Sequence, residues 1–340
     1  MQTDFLLTPE YEFLQKEPHL KDNLMCLALG GSKAYGTDLP TSDTDVRGIA
    51  FPLKNEILLN TQFEQVEDRP TDTVIYNFNK FMELCSQCNP NVIEMLGQDP
   101  DRYLYTTEEF MELYKNRDMF LSKRAAKTFG GYATQQLYRL RQKSIYLYTP
   151  EEYNAHIAKV LLHMINTGYN YGVDIMFHSD ANGITYDING KNIPSESLAN
   201  LLNEINNVIK VYNTNSERNQ KAIEHGKINK HAMHLLRLYM MAVDILQKGQ
   251  IVTYREKEHD LLMSVRNGEF CKDGMMTDEF WRIVDKHKEK FEFWQEHTHL
   301  PDKPDFERIN EFKLNINEKV IKNELTPKLS FGHASPTKTM

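Results

Sequence analysis

Residues 29–48 read LGGSKAYGTDLPTSDTDVRG and connect two apolar segments of the chain. The first segment, residues 23–29, runs into Gly30-Gly31, a pattern typical of a buried strand that ends in a tight turn. The second follows Asp43 and Asp45 and predicts another strand. Because residues i and i+2 of an extended chain point to the same side, we expect both carboxylates to be presented together.

This pattern is suited to a metal-bound nucleoside triphosphate. Paired carboxylates are hard oxygen ligands for Mg²⁺, which keeps its other positions for water and substrate phosphates. The turn at Gly31 and Ser32 offers backbone N–H groups and a hydroxyl that can hold phosphate oxygens. We therefore predict a nucleotide site at the end of the first strand.

Two other motifs can be excluded from the letters. Gly31 and Gly36 have the glycine spacing of a P-loop, but Thr37-Asp38 stand where that motif requires Lys and then Ser or Thr. A calcium loop starting at Asp43 would need oxygen ligands at its fifth and twelfth positions, which are Arg47 and Lys54.

The composition limits the class of protein. The chain has 340 residues, net charge −8 and four Cys, which favours one large domain or two modest ones and excludes a generally basic nucleic-acid coat and a disulfide scaffold. No apolar run approaches the ~20 residues of a membrane helix, and no signal peptide is evident. We expect a cytoplasmic protein without a membrane partner.

The periodicity predicts an α+β head followed by helices. A third strand is predicted at residues 71–76 and a helix at 79–88. Further along, the pattern predicts helices at 108–114, 122–142, 153–168, 195–211, 216–247 and 256–265, with a hairpin between 175 and 194. We predict a head at residues 1–115, a mostly helical body at 116–300, and a polar C-terminal tail at 301–340, with the active site in the cleft between head and body.

Several motifs resemble one known superfamily. Gly31-Ser32 followed by Asp43-x-Asp45 resembles the signature of the DNA polymerase β-like nucleotidyltransferases, and residues 31–48 are closest to their stand-alone predicted members in bacteria and phages. The likeness returns at 78–94, 230–238 and 265–268. It spans roughly residues 20–270, whereas 145–215 and the chain after about 300 show none.

The resemblance implies a palm-like mixed sheet whose three carboxylates hold two Mg²⁺ ions, with Mn²⁺ as a possible substitute. The reaction would transfer a nucleoside monophosphate from a nucleoside triphosphate to an acceptor hydroxyl and release pyrophosphate. Asp43 and Asp45 match the first two carboxylates. Asp72 is our choice for the third, with Glu67 and Asp68 as alternatives.

Two groups of basic residues are candidates for binding phosphates. Lys230, His234 and Arg237 fall on one predicted helix face, which could meet the triphosphate beside Gly31 and Ser32; the alternative is a solvated stripe. Residues 119–149 contain no Asp or Glu, and aromatic residues are interleaved with the basic ones. This stretch predicts an RNA or polyphosphate surface, unless acids elsewhere pair with it; its cations are Lys123, Arg124, Lys127, Arg139 and Arg141.

The acceptor is left open by the superfamily, whose members modify RNA ends, proteins and small molecules. The basic residues favour an RNA 3′ end, such as that of a tRNA. Transfer to a protein hydroxyl, as in AMPylation by a toxin–antitoxin type of enzyme, is the second possibility. A nucleotide-binding module without catalysis is a third. A metal-independent ribonuclease of the HEPN type is a fourth, since Arg218 and His225 have a compatible spacing.

Overall fold

The computed structural model describes residues 3–61, 63–141, 149–180, 183–190, 192–206 and 227–325. Its contacts divide the chain into two compact units. Unit 1 comprises Met1–Thr134, Met233–Phe270 and Asp278–Met340, and unit 2 comprises Gln135–Ala232 and Cys271–Thr277. No described helix is both long and apolar enough to cross a membrane.

Unit 1 contains a five-stranded mixed sheet in the order β3-β4-β2-β1-β5. Strands β2 and β4 are parallel, and the other neighbouring pairs are antiparallel. The strands are β1 (Leu24–Leu29), β2 (Val46–Ala50), β3 (Gln65–Asp68), β4 (Thr73–Asn77) and β5 (Tyr103–Thr106). β1 lies between β2 and β5, and nearly all residues of its apolar run are buried.

Helices surround this sheet. The helices before residue 124 are α1 (Phe13–Lys16), α2 (Gly31–Tyr35), α3 (Lys54–Leu59), α4 (Phe78–Ser86), α5 (Pro90–Ile93) and α6 (Glu108–Lys115). Short 3₁₀ helices cover Asp4–Leu7, Pro9–Tyr11, Glu94–Gly97, Pro100–Arg102 and Arg117–Phe120. Later helices are α7 (Arg124–Arg141), which contains residues of both units, α10 (Ile228–Lys248), α11 (His259–Asn267), α12 (Asp278–His297) and α13 (Phe306–Lys322).

The N-terminal segment is part of the core of unit 1. Leu6, Tyr11 and Leu14 are buried in one cluster with Val46 of β2 and Ile75 of β4. Each of these five residues is at most 5% exposed. The segment that leads into the sheet is therefore held by apolar packing against it.

Unit 2 has its own apolar core. It contains α8 (Pro150–Asn170), the hairpin β6 (Asp174–Asp180) and β7 (Gly183–Asn189), α9 as far as it is described (195–206), and β8 (Cys271–Lys272) paired with β9 (Met275–Met276). Met164, Val173, Ile175, Leu201 and Ile205 form a core to which α8, β6 and α9 contribute.

The predicted α+β fold with a mixed sheet is confirmed. The division by contacts differs from the predicted boundaries at 115 and 300, since α10 to α13 lie largely in unit 1 with the sheet. The predicted tail at 301–340 needs a correction, because Phe306–Lys322 is a helix with a buried apolar side. The parts of the predicted helices at 207–226 lie outside the described residues.

Candidate active site

The glycine turn and the second acidic residue lie against each other. Gly31 begins α2 with a φ of +53°, and a Cβ atom added to it would meet Asp45 Oδ2 at 1.8 Å. The backbone N–H of Gly30 donates to the carbonyl oxygen of Asp45 over 2.8 Å. A glycine is required at position 31 because both the backbone conformation and the close carboxylate leave no room for a side chain.

Asp43, Asp45 and Asp72 lie at neighbouring strand ends. Asp45 directly precedes β2 and Asp72 directly precedes β4, and these strands run parallel with Val46 opposite Thr73. Asp43 and Asp72 line the same pocket of about 670 Å³. The structure thus brings the three predicted carboxylates to one end of the sheet.

Arg47 contacts Asp72, the residue predicted as the third carboxylate. Its guanidinium donates to the Asp72 carbonyl oxygen over 2.5 Å, and its Nη2 lies 3.3 Å from Asp72 Oδ1. Asp72 itself has a φ of +46°, a conformation that is uncommon for residues other than glycine. The Arg47 guanidinium therefore fixes a turn that the Asp72 backbone alone would disfavour.

The two alternative acids have other partners. Asp68 accepts from both the N–H and the hydroxyl of Thr71, over 3.1 and 2.7 Å, and so stabilises the turn before β4. Glu67 lies on β3 beside Gln65, whose amide donates to it. Asp72 and Asp43 line the same pocket, whereas Glu67 and Asp68 do not line it.

A buried ionic network lies behind the glycine turn. Glu94 accepts from the Tyr35 hydroxyl over 2.6 Å and from Arg237 Nη1 over 3.0 Å. The Arg237 guanidinium carbon lies 3.4 Å from the centre of the Tyr35 ring. Burial raises the pKa of Tyr35 well above its ordinary value, and Arg237 opposes this shift. Since Tyr35 is the last residue of α2, the network anchors that helix.

Arg237 does not occupy the position predicted for it. Its side chain is 2% exposed and paired with Glu94, so it lies in the core and not on an open cationic face. His234 is half-buried and accepts from Arg237 at Nδ1 over 3.0 Å, while Lys230 is exposed. The predicted stripe therefore runs from the surface at Lys230 into the core at Arg237.

The far end of the glycine turn is held by later residues. A Cβ on Gly36 would lie 2.2 Å from the Tyr254 ring, and Gly36 has a φ of +68°. His259 Nε2 donates to the Gly36 carbonyl oxygen over 2.8 Å. Arg102 stacks on Tyr254, and its guanidinium carbon lies 3.8 Å from the centre of the Tyr254 ring.

The basic residues of 123–141 are partly engaged. Lys123 Nζ lies 2.8 Å from Asp302, and the Arg124 guanidinium lies 5.8 Å from the Phe306 ring centre. Lys127 is exposed, as are the rings of Tyr132 and Tyr138. Of the other predicted members, Arg139 is half-buried and Arg141 is exposed, whereas residues 142–148 lie outside the described chain.

Sequence reasoning assigned no role to Tyr35, Arg47 or Glu94. Glu94 carries a recognisable signal, since it is a lone charge in the apolar run 92–96, and a buried charge needs a partner. Its partner Arg237 is 143 positions away, a distance at which residue spacing carries no information.

A glycine turn beside carboxylates at the ends of two parallel strands is the arrangement that the resemblance to polymerase β-like nucleotidyltransferases predicts. In agreement with this class, residues 11–168 match the model of a particular family, described as RlaP, the RNA repair pathway DNA polymerase beta family. The resemblance to the polymerase β-like superfamily is thereby confirmed, and with it nucleotidyltransferase as the general class of enzyme. No curated protein matches the chain.

Proposed function

We propose that this protein transfers a nucleoside monophosphate from a nucleoside triphosphate to the 3′ hydroxyl of an RNA. The observation that carries the proposal is the contact of Gly31 with the Asp45 carboxylate. Backbone N–H groups of a turn suit phosphate oxygens, and a carboxylate suits a metal, so their closeness supports a site for a metal-bound triphosphate. A triphosphate at this turn would have its reacting end at the carboxylates.

The acidic residues fit a magnesium ion that the substrate helps to hold. Among the described residues, no three His, Cys, Asp or Glu side chains are close enough to bind a metal by themselves. Mg²⁺ is commonly held by one or two carboxylates together with substrate phosphates, and Asp43, Asp45 and Asp72 supply oxygen donors of this kind. When bound, the metal, or Mn²⁺ in its place, would supply Lewis acidity toward the phosphate and the acceptor oxygen.

The protein's own groups have separate tasks in this proposal. Gly31 and Ser32 bind phosphate oxygens and orient the triphosphate. Asp43 and Asp45 would hold the metal at the triphosphate. Asp72, which directly precedes β4, would add a further oxygen donor when substrate is bound, and Arg47 keeps its turn in position. The acceptor hydroxyl forms the new bond to the α-phosphorus as the bond to pyrophosphate breaks, and the hydroxyl proton is released to water.

RNA is the favoured acceptor for two reasons. The matched family is described as part of an RNA repair pathway, and the exposed cation Lys127 and the exposed ring of Tyr132 lie on α7. Positive charge with aromatic rings is suited to single-stranded nucleic acid. A protein hydroxyl is the second candidate. The ribonuclease alternative depends on Arg218 and His225, which lie outside the described residues.

The proposal is tested by incubating the protein with each α-labelled nucleoside triphosphate, Mg²⁺ and cellular RNA with protein. We expect label that ribonuclease removes and protease leaves, and none after chelation of the metal. Asp45→Asn should lower the rate about a thousandfold, since several kcal/mol of charge stabilisation are lost.

The matched control is Asp174→Asn, an exposed Asp of unit 2, which should keep the wild-type rate. Wild-type transfer by Asp45→Asn would contradict the assignment of the site. Label that protease removes and ribonuclease leaves would replace the RNA acceptor by a protein.

A further inference from the structure

Asp43 and Asp72 line a pocket of about 670 Å³. The residues of the glycine turn do not line this pocket, so it extends the site away from the turn. Its other walls come from the N-terminal segment, with Phe5, Glu10 and Tyr11, and from the turn before β4, with Arg69. The volume is in the range of ~300–1,000 Å³ that takes small ligands. Phe5 and Glu10 precede residue 11, where the family match begins.

The charges of this pocket argue against a triphosphate. Glu10, Asp43 and Asp72 are exposed carboxylates, and Arg69 is the one cation among the described residues that line it. Apart from a metal at Asp43 and Asp72, the pocket offers phosphates a single cation, Arg69, against the carboxylate of Glu10, and like charges at short range raise the free energy of binding. The occupant therefore carries about one phosphate.

The aromatic wall is rigid. Phe5 and Tyr11 meet edge to face with ring centres 5.2 Å apart. Tyr11 and the neighbouring Leu6 are at most 5% exposed and belong to the core cluster, whereas Phe5 is half-buried and faces the pocket. A fixed aromatic ring is a platform on which a nucleobase can stack.

We infer that this pocket binds the 3′-terminal nucleotide of the acceptor RNA, with its base on Phe5, its one phosphate on Arg69 and its hydroxyl at Asp43 and Asp72. The inference rests on the proposed transfer to RNA. It adds that the acceptor enters on the side of the N-terminal segment, and that the triphosphate and the acceptor share the carboxylates at the reacting end but are otherwise bound by different residues.

The test uses the full chain and a ten-nucleotide single-stranded RNA with a 3′ hydroxyl. The Michaelis constants for the RNA and for the triphosphate are measured separately. Phe5→Ala and Arg69→Glu should each raise the constant for the RNA about tenfold, because a stacked base or a charged hydrogen bond is lost. The constant for the triphosphate should stay within about twofold.

Two matched variants control for folding and charge. Leu7→Ala truncates an exposed apolar residue of the same 3₁₀ helix, and Arg282→Glu reverses an exposed cation of α12. Both variants should have the wild-type Michaelis constants for the RNA and for the triphosphate. Phe5→Trp, unlike Phe5→Ala, should keep the wild-type constant for the RNA, since a larger ring can still stack on a base. A merely structural role of Phe5 would not predict this.

The failures are distinguishable. If the wild-type protein labels no RNA, the proposed function itself fails, whereas wild-type labelling with an unchanged RNA constant in both pocket variants overturns only this inference. A rise in the constant for the triphosphate with Arg69→Glu would overturn it as well, since the pocket would then bind the nucleotide donor.

Discussion

Gly31 and Gly131 are two glycines with opposite expected responses to alanine. At Gly31, the new Cβ would overlap Asp45 Oδ2 and the φ of +53° is unfavourable for alanine; at Gly131, in α7, nothing lies within 4 Å. We expect Gly31→Ala to abolish nucleotide transfer, and Gly131→Ala to raise the free energy of unfolding by roughly 0.5–1 kcal/mol. Transfer rates and urea unfolding check both, and an active Gly31→Ala would contradict the close contact.

The hydroxyl oxygen of Tyr35 is the single atom that Tyr35→Phe removes, so this variant tests whether the hydroxyl anchors α2. Tyr35→Phe keeps the ring beneath Arg237 but removes the hydroxyl that donates to Glu94 over 2.6 Å. We expect a loss of about 1–3 kcal/mol in the free energy of unfolding, because a largely buried carboxylate oxygen loses its donor. Tyr138→Phe, at a ring that is 54% exposed, is the control in the same urea experiment. Equal stability of the two variants would show that the hydroxyl contributes nothing.

At the scale of an element, α13 has a buried apolar side although most of its residues are polar. Ile309, Phe312, Ile316 and Val320 follow helical spacing and are at most 8% exposed, and the rings of Phe312 and Phe78 of α4 are 6.2 Å apart. The polar residues between them led to the prediction of a tail. The helical period was present in the sequence, but it was outweighed by overall polarity.

This burial gives a prediction for α13. Phe312→Ala should lower the free energy of unfolding by roughly 3 kcal/mol through lost packing and the cavity left behind. Leu314→Ala, at a side chain that is 64% exposed, should stay within about 0.5 kcal/mol of the wild type. Thermal and urea unfolding measure both. A similar loss in the two variants would mean that the buried side is wrongly placed.

At the scale of the whole molecule, one histidine makes stability depend on pH. Burial, followed by the charges of Lys290, Arg255 and Lys286, lowers the pKa of His287 to about 4, from an ordinary value of about 6.5. The unfolded chain binds the extra proton between these values. The contribution of His287 to stability is therefore complete above about pH 6.5 and is lost as the pH falls toward 4.

His287→Gln should make the free energy of unfolding less dependent on pH in this window. Urea unfolding of both proteins at pH 7.5, 6 and 5 measures the difference. Parallel curves for variant and wild type would contradict a neutral, desolvated imidazole in the folded state.

What the sequence could predict was local. The strands around residues 29–48 and the glycine turn could be predicted from apolar runs and from the glycines that end them. The expectation that Asp43 and Asp72 lie near each other came from the family resemblance. The pairing of Glu94 with Arg237 and the contact of Gly36 with Tyr254 could not be predicted. They depend on tertiary packing, which residue spacing does not encode.

The contacts that support the glycine turn come partly from outside the segment that matches the family. Arg237, Tyr254 and His259 all contact residues 35–36 or their partner Glu94, yet all three lie beyond residue 168, where the family match ends. A chain shortened to the matched segment would keep the carboxylates but leave Glu94 without its cation and Gly36 without its cover. We therefore expect that moving the matched segment into another protein by gene fusion would require the downstream helices as well.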